Sequence, residues 1–325
     1  MIEISHVTKK YGDKTVVDDV TFSVAKGEVM GFLGPNGAGK STTMNILTGY
    51  ISSTSGSAKI DGIDILDDPI AAKKRIGFLP EQPPLYLDMK VSEYLNFIYD
   101  LKGCRLNRKK HIAEICEVVK ISDVANRMIK NLSKGYRQRV GIAQALVGNP
   151  EVLIFDEPTV GLDPKQIIDI RNLIRNLGKS HTIILSTHIL PEVQAVCDRI
   201  VIINEGRIVA NEKTDRISEL AGGPGRLVAK ICGPQNEVLR AVRNLAGVTS
   251  AQLLAERDAD SVSVEISAEP NIDIRKPLFN MLSQKAWPLI GLEAQGISLE
   301  DIFIRLTGGA AKSAKRSKKP SGEEK

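Results

Sequence analysis

The sequence has no apolar run long enough to cross a membrane. Its longest apolar stretches, such as residues 152–155 and 200–203, are strand length and fall far short of the roughly 18 to 20 residues that a spanning helix needs. The first residues, Met1 to Ser5, hold no basic segment followed by an apolar one, so no secretory signal is expected. These two absences predict a chain that stays in the cytosol.

Cysteine, histidine and aromatic residues are scarce. The four cysteines show no CxxC pair and the four histidines show no HExxH pattern. This fits reduced, packed thiols and argues against a disulfide framework or a metal held by protein ligands alone. Aromatic residues make up only 4% of the chain, which leaves few platforms on which single-stranded nucleic acid could stack.

The net charge of +5 comes mostly from the end of the chain. Residues 309–325 contain six Lys or Arg, two Glu and no apolar residue larger than alanine, so they contribute +4 and the rest contributes +1. Such a segment buries too little apolar surface to offset the entropy of ordering, which predicts a basic, disordered tail. Either the tail is simply solvated, or it is weakly attracted to an anionic membrane surface.

The first two thirds of the chain alternate strands and helices, as α/β folds with a parallel sheet do. Strands are predicted at 2–7, 20–24, 28–33, 152–155, 182–186 and 200–203, a hairpin at 204–206 leading into 207–210, and helices at 40–48 and 164–177. Residues 83–149 show helical periodicity, which predicts a helical subdomain inserted into the α/β domain.

A cluster of turn-forming residues at 221–225 predicts a domain boundary. Beyond it the pattern predicts a small module of order β-α-β-β-α-β-α. Its strands are predicted at 227–232, 249–253, 261–266 and 289–294, and its helices at 235–245, 277–282 and from Ser298 onward. The sequence therefore predicts an α/β domain over 1–220, an α+β module over 226–308 and the tail over 309–325.

An apolar strand runs directly into a segment that matches the full pattern G-x-x-x-x-G-K-[ST]. The segment consists of Gly34, Pro35, Asn36, Gly37, Ala38, Gly39, Lys40 and Ser41. Its glycines let successive backbone N–H groups point at phosphate oxygens, and the following helix adds the positive end of its dipole. Lys40 can reach the β- and γ-phosphates, Ser41 can ligate Mg²⁺, and Thr42 can hold the α-phosphate.

An acidic pair follows the apolar strand at 152–155. Asp156 lies where a carboxylate can hold Mg²⁺ through a water beside the phosphate loop, and Glu157 is placed to orient and deprotonate an attacking water. Together with the phosphate loop, this pair predicts a nucleoside triphosphatase or a kinase without deciding between them.

Three further segments narrow this prediction. Residues 132–139 (LSKGYRQR) resemble the LSGGQ signature of ATP-binding cassette (ABC) proteins, residues 161–163 resemble the D-loop of that family, and residues 186–188 resemble its switch-histidine segment. With the two phosphate motifs, these make five ordered motifs, and the resemblance covers roughly residues 1–215. The sequence is therefore identified as similar to the ABC ATPases.

The resemblance implies a P-loop ATPase core with an antiparallel β-subdomain and a helical subdomain. In that family two such domains close head to tail over two ATP molecules, so one chain with one set of motifs is expected to dimerise, as a homodimer or a heterodimer. Ser133 and Gly135 would then offer a hydroxyl and a backbone N–H to the γ-phosphate held by the other copy. His188 would contact the γ-phosphate and hold the water together with Glu157.

Two motifs, the signature and the Q-loop, depart from the family pattern. The signature has Lys134 and Tyr136 where the consensus has Gly and Gln. The added cation of Lys134 would either strengthen ATP-dependent closure or point to solvent. In the Q-loop, Glu81 stands where glutamine is usual and Gln82 follows it, so either side chain could reach Mg²⁺ and the water. Tyr11 matches the aromatic residue that stacks on adenine, although a tyrosine at a strand end often only packs.

The C-terminal segment 298–306 and the run 77–81 resemble the ATPases of ABC-2 type exporters. This resemblance implies an ATP-hydrolysing motor subunit that works with a separate membrane permease, on the inner face of the membrane, with no specific nucleic acid partner. The competing hypothesis is a soluble ABC ATPase that acts on ribosomes or DNA. One cassette and no heptad run favour the transporter, a preference that rests on family analogy.

Overall fold

The computed structural model describes residues 1–214, 216, 226–258, 261–269 and 272–295. The chain divides into two compact units, of which the first covers Met1–Thr214 and the second covers the remainder. The predicted boundary at 221–225, the predicted helix from Ser298 and the tail at 309–325 lie outside the described residues. The bounds of the three predicted regions therefore stay predictions.

The first unit contains two sheets and seven helices among its described residues. The strands are β1 (Ile2–Tyr11), β2 (Lys14–Val24), β3 (Val29–Leu33), β4 (Ser55–Ile60), β5 (Ile63–Asp64), β6 (Ile76–Leu79), β7 (Val152–Asp156), β8 (Thr182–Thr187), β9 (Arg199–Asn204) and β10 (Arg207–Lys213). The helices are α1 (Lys40–Leu47), α2 (Pro69–Lys74), α3 (Val91–Leu101), α4 (Arg108–Val118), α5 (Lys134–Leu146), α6 (Pro164–Leu177) and α7 (Leu190–Val196).

The central sheet has the strand order β10-β9-β3-β8-β7-β6. Strands β9, β3, β8, β7 and β6 are parallel, and β10 pairs antiparallel with β9 as a hairpin. Every residue of β3, β7 and β8 is buried, as expected for parallel strands covered on both faces. Because the carboxyl ends of parallel strands meet at one edge, the loops after β3, β7 and β8 are brought together there.

A second, antiparallel sheet has the order β2-β1-β4-β5. In it, Ile2 of β1 lies opposite both Val24 of β2 and Ile60 of β4, and all three side chains are buried in the same core as β3. Burying a side chain of this size contributes roughly 1.5 to 3 kcal/mol. This sheet supplies the antiparallel β-subdomain that the family resemblance implies.

The predicted helical region contains three helices, α3, α4 and α5, and two short 3₁₀ turns at Ser122–Val124 and Ile129–Asn131. Lys90 is the N-cap residue of α3, and Asn107 is the N-cap residue of α4. Ser133 caps α5 by accepting a hydrogen bond from the N–H of Tyr136 at 3.4 Å. Within the part of the chain that the structure describes, no helix is both long and apolar enough to pass through a bilayer.

The second unit has β11 (Arg226–Ile231), α8 (Gln235–Arg243), β12 (Val248–Asp258), β13 (Ser261–Ala268), α9 (Arg275–Gln284) and β14 (Leu289–Gln295). Its sheet order is β12-β13-β11-β14 and every pairing is antiparallel, which is the split β-α-β arrangement of ferredoxin-like folds. Val238 and Val242 of α8 and Leu278 and Leu282 of α9 pack in one apolar cluster with the sheet. The described elements follow the predicted order β-α-β-β-α-β.

Several predicted bounds were wrong, and some elements were missed. Strand β1 extends to Tyr11 and strand β2 begins at Lys14, because these two residues pair across a hairpin. Helices α1 and α8 end at Leu47 and Arg243, short of the predicted ends, and β10, β12, β13 and α9 are longer than predicted. The elements missed entirely are β4, β5, α2, β6 and α7.

Candidate functional site

The phosphate loop lies between β3 and α1, and two of its glycines are required by backbone geometry. Gly39, the residue that precedes α1, has φ +107°, and a Cβ there would lie 2.9 Å from the carbonyl oxygen of Val16. At Gly34 a Cβ would lie 2.5 Å from the carbonyl oxygen of Ile203. The loop therefore passes so close to neighbouring backbone that only glycine fits at these positions.

Lys40 is buried at the start of α1, and its ammonium group is fully engaged. Nζ donates to the carbonyl oxygens of Gly34 at 2.9 Å and Pro35 at 3.3 Å, and it lies 3.4 Å from Oε1 of Glu157. The side chains of Lys40 and Glu157 are only 6% and 7% exposed. Each buried charge is therefore compensated by the other, and the pair joins the phosphate loop to the end of β7.

The loop borders a cavity of about 440 Å³. It is lined by Val16, Asn36, Gly37, Gly39, Lys40, Ser41, Thr42, Glu81, Glu157, Val160 and His188. The N-terminus of α1, with its unpaired N–H groups and the positive end of its dipole, therefore opens into a space that also contains a carboxylate and an imidazole. Such a cavity can hold the triphosphate of a nucleotide with a water beside it.

Asp156 ends β7 and is buried. Its Oδ1 accepts a hydrogen bond from Oγ of Ser186 at 2.7 Å, and the two residues are register partners across the parallel β7 and β8. Unlike its neighbour Glu157, Asp156 is not one of the described residues that line the cavity.

Glu157 and His188 form a hydrogen-bonded pair at the cavity. Nδ1 of His188 lies 3.0 Å and 3.1 Å from the two carboxylate oxygens of Glu157. Glu157 has φ +50°, an uncommon conformation for a residue with a side chain, and its N–H donates to the carbonyl oxygen of Ser186 at 2.9 Å. The strained turn after β7 thus directs the carboxylate toward the cavity.

The structure separates the two adjacent Q-loop candidates. Glu81 lines both the phosphate cavity and a neighbouring groove, whereas Gln82 lines the groove, with Lys134 and Arg137, and is not among the described residues that line the cavity. Tyr11, at the end of β1, is 52% exposed, and Nζ of Lys9 lies 5.1 Å from the centre of its ring. Tyr11 is not among the described residues that line the cavity.

The signature segment lies apart from the phosphate cavity of its own chain. None of the described residues that line the cavity belongs to 132–139. Gly135 lies against the side chain of Gln166 in α6, where a Cβ would come within 2.6 Å. The side chain of Lys134 extends over Gly161, and its Nζ occupies the space that a Cβ on Gly161 would need. Tyr136 donates its hydroxyl hydrogen to Asp123 at 2.9 Å.

Comparison with known proteins decides the family. The family model described as ABC transporter matches residues 17–160. The linearmycin resistance ATP-binding protein LnrL of Bacillus subtilis (strain 168) is 35% identical over 311 residues, covering 95% of this chain and 98% of that protein. The chain belongs to the ABC transporter family of ATP-binding proteins.

Two further members extend the match. The bacitracin transport ATP-binding protein BcrA of Bacillus licheniformis is 31% identical, with 95% of this chain and 98% of that protein covered. Among solved structures, a dimeric post-hydrolysis ATP-binding cassette with bound ADP and Pi matches with a TM-score of 0.61 at 29% identity, covering 66% of this chain and 99% of that chain. This ABC protein is therefore an ATPase with the predicted P-loop core.

Sequence reasoning missed three residues of this ABC site. Val16 and Val160 form part of the cavity wall, and Ser186 holds Asp156. A polar residue at the carboxyl end of an apolar strand was a signal for Ser186. For Val16 the chain offered no local signal, because it reaches the cavity through the fold of the β1–β2 hairpin.

Gly39→Ala should weaken the phosphate site while leaving the protein folded. Alanine does not adopt φ +107°, and its Cβ would meet the backbone of Val16, so we expect ATP affinity to fall at least about tenfold, the equivalent of ~1.4 kcal/mol. A titration with a fluorescent ATP analogue measures the loss. Gly62→Ala is the matched control, because Gly62 also has positive φ (+77°) but meets no atom within 4 Å. Equal affinities of the two variants would contradict the geometric argument.

Proposed function

We propose that this ABC protein is the ATP-hydrolysing motor subunit of an ABC-2 type exporter, paired with a separate membrane permease. The observation that carries the catalytic part is the convergence of Lys40, Glu157 and His188 at one cavity beside the N-terminus of α1. A cation for phosphate, a carboxylate for water and an imidazole beside that carboxylate are what in-line hydrolysis of a triphosphate needs.

The phosphate loop holds the triphosphate in this proposal. The backbone N–H groups of Gly37, Gly39, Lys40 and Ser41 and the hydroxyl of Thr42 donate to phosphate oxygens. Lys40 exchanges its two loop carbonyls for the β- and γ-phosphates. Such an exchange costs little, because the ammonium stays fully hydrogen-bonded. Tyr11, at the exposed end of β1, is the proposed stacking partner of the adenine ring.

The site also offers the oxygen donors that Mg²⁺ prefers. Ser41 and Glu81 line the cavity, and Asp156 is a buried carboxylate at the end of the adjacent strand, held by Ser186. When bound, Mg²⁺ would neutralise charge on the phosphates. Ser41, Asp156 and Glu81 would hold it, directly or through water.

Glu157 is the proposed general base. Its carboxylate accepts a proton from the water whose oxygen attacks the γ-phosphorus, the bond between that phosphorus and the bridging oxygen breaks, and ADP and inorganic phosphate result. His188, 3.0 Å from the carboxylate, holds the water and the γ-phosphate in line. Ser133 and Gly135 of a second copy complete the site, since neither residue lines the cavity of its own chain.

Glu157→Gln should lower the turnover of ATP by about 10² to 10⁴ while ATP binding is retained, because the amide cannot accept the proton of water. Steady-state phosphate release and ATP titration measure the two quantities separately. Glu151→Gln is the matched control, since Glu151 stands at the other end of β7 in a partly exposed ion pair with Arg75. Turnover near that of the unmodified protein in Glu157→Gln would refute the assignment.

Glu81 and Gln82 can be distinguished by their effect on the magnesium requirement. Because Glu81 lines the cavity and Gln82 does not, Glu81→Ala should raise the Mg²⁺ concentration for half-maximal ATP binding several-fold, about 1 kcal/mol. Gln82→Ala should leave it unchanged. Titration of Mg²⁺ at fixed ATP gives both values, and a larger effect in Gln82→Ala would assign the role to the amide.

A second, apolar cleft is the proposed docking site of the permease. It measures about 440 Å³ and lies between the core and the helical region. Its lining includes the exposed Tyr50 and Leu101, which are 79% and 70% accessible, and the exposed cation Lys73. Burial lowers the pKa of Lys102, also in the lining, to about 8. Exposed aromatic and aliphatic side chains around a cleft suit a short helix from a cytosolic loop of the permease.

The partner is tested by what co-purifies with the full-length chain from detergent-solubilised membranes. We expect a polytopic membrane protein, identified by mass spectrometry, and a several-fold loss of it in the double variant Tyr50→Ser/Leu101→Ser, since docking loses apolar contact area. Val118→Ser, which changes an exposed residue at the end of α4, is the control. Recovery of ribosomes or DNA without a polytopic protein would overturn the transporter assignment in favour of a soluble ABC ATPase.

A further inference from the structure

Glu192 is a buried carboxylate that the proposed hydrolysis does not use. It lies in the first turn of α7 and is 1% exposed, although it does not line the phosphate cavity among the described residues. A buried carboxylate is costly unless its oxygens are hydrogen-bonded, so its partners indicate what it is retained for.

Those partners come from the two segments that carry Glu157 and His188. Oγ1 of Thr159, two residues after Glu157, lies 2.7 Å from both oxygens of the carboxylate. Oγ1 of Thr187, the residue before His188, donates to Oε2 at 3.2 Å and accepts from the N–H of Ile189. Both threonines are buried, at 3% and 0% exposure.

The charge of Glu192 is balanced from a third element. Nη2 of Arg171 in α6 lies 3.8 Å from Oε1. One carboxylate therefore connects the loop after β7, the end of β8 and the helices α6 and α7. Direct bonds already join the β7 and β8 ends: the N–H of Glu157 donates to Ser186, Ser186 donates to Asp156, and Glu157 is hydrogen-bonded to His188. Glu192 adds a side-chain bridge beyond residues 156 and 157 that reaches both segments.

We propose that Glu192 is a positioning residue, whose carboxylate fixes the separation of Glu157 and His188 by holding Thr159 and Thr187 at the same time. The turn needs such a restraint, because Glu157 has φ +50° and a strained residue keeps its conformation only when its surroundings determine it. The kinetic consequence of this inference rests on the proposed function, whereas the hydrogen-bonded bridge is independent of it.

Glutamine at 192 keeps the volume and removes one of the two acceptor oxygens, so it loosens the bridge with little change in packing. We expect Glu192→Gln to lower kcat by about 10- to 100-fold with the affinity for ATP unchanged, since misplacement by about 1 Å has effects of that size. Glu28→Gln is the matched control, because Glu28 is also a largely buried glutamate paired with an arginine, Arg199, and it precedes β3, at the opposite end of that strand from the phosphate loop. A fall in ATP affinity equal to the fall in kcat would overturn the proposal.

A double-mutant test separates positioning from a general loss of stability. In the Glu157→Gln background, Glu192→Gln should lower turnover by less than about twofold, because the group that it positions is already gone. The full tenfold effect in that background would show that Glu192 does not act through Glu157.

The bridge can also be tested from the side of Thr159. Thr159→Val should reproduce the loss of kcat, whereas Thr159→Ser, which keeps the hydroxyl, should retain the kcat of the unmodified protein. Equal losses of kcat in both variants would contradict the bridge.

A spectroscopic measurement tests the bridge without any catalysis. The chain has four histidines, so ¹⁵N-histidine labelling of the full-length protein gives the nitrogen signals of four imidazole rings. Glu192→Gln should shift or broaden the signals of His188 and leave those of His6, His111 and His181 in place. Unchanged His188 signals would overturn the proposal. If Glu157→Gln kept its turnover while His188 responded to Glu192→Gln, the proposed role of Glu157 would fail and the bridge would stand.

Discussion

The structure of the site depends on the buried ion pair between Lys40 and Glu157. Both side chains are more than nine-tenths buried, and an isolated charge in such a place costs several kcal/mol. The pair is therefore stable only while the phosphate loop and the end of β7 stay together. The parallel pairing of β3, β8 and β7 provides this, since it brings the carboxyl ends of all three strands to one edge.

Local motifs were predictable because their chemistry depends on covalent spacing. The loop from Gly34 to Ser41 is one, and α6 is another. Asp163 at the N-cap, Pro164 at the first position and Gly178 at the end mark the bounds of α6 in the sequence, and the structure has the same bounds as predicted. The order of elements in the second unit followed from alternation and helical spacing in the same way.

What could not be predicted depends on pairing between distant segments. Strand β4 reads Ser-Gly-Ser-Ala-Lys-Ile, which has too few apolar residues to indicate a strand, and it forms only because β1 lies beside it. The choice between Glu81 and Gln82 has the same origin. The two residues are adjacent in a bend, so only the position of the loop after β6 decides which of them also reaches the phosphate cavity.

The separation of the signature from the cavity has a chemical consequence under the proposed function. A single chain already holds its base, its imidazole and its lysine together, with Lys40 still bound to the carbonyls of its own loop. It lacks the donors that would stabilise charge on the γ-phosphate from the opposite side, since those stand at the start of α5, against α6 and the Gly161 loop. Lys134 lies over Gly161, so the extra cation of this signature is held beside the D-loop before any partner arrives. Under the proposed function, hydrolysis would therefore require two cassettes to meet, with one half-site supplying the reacting groups and the second copy supplying the missing electrostatic stabilisation.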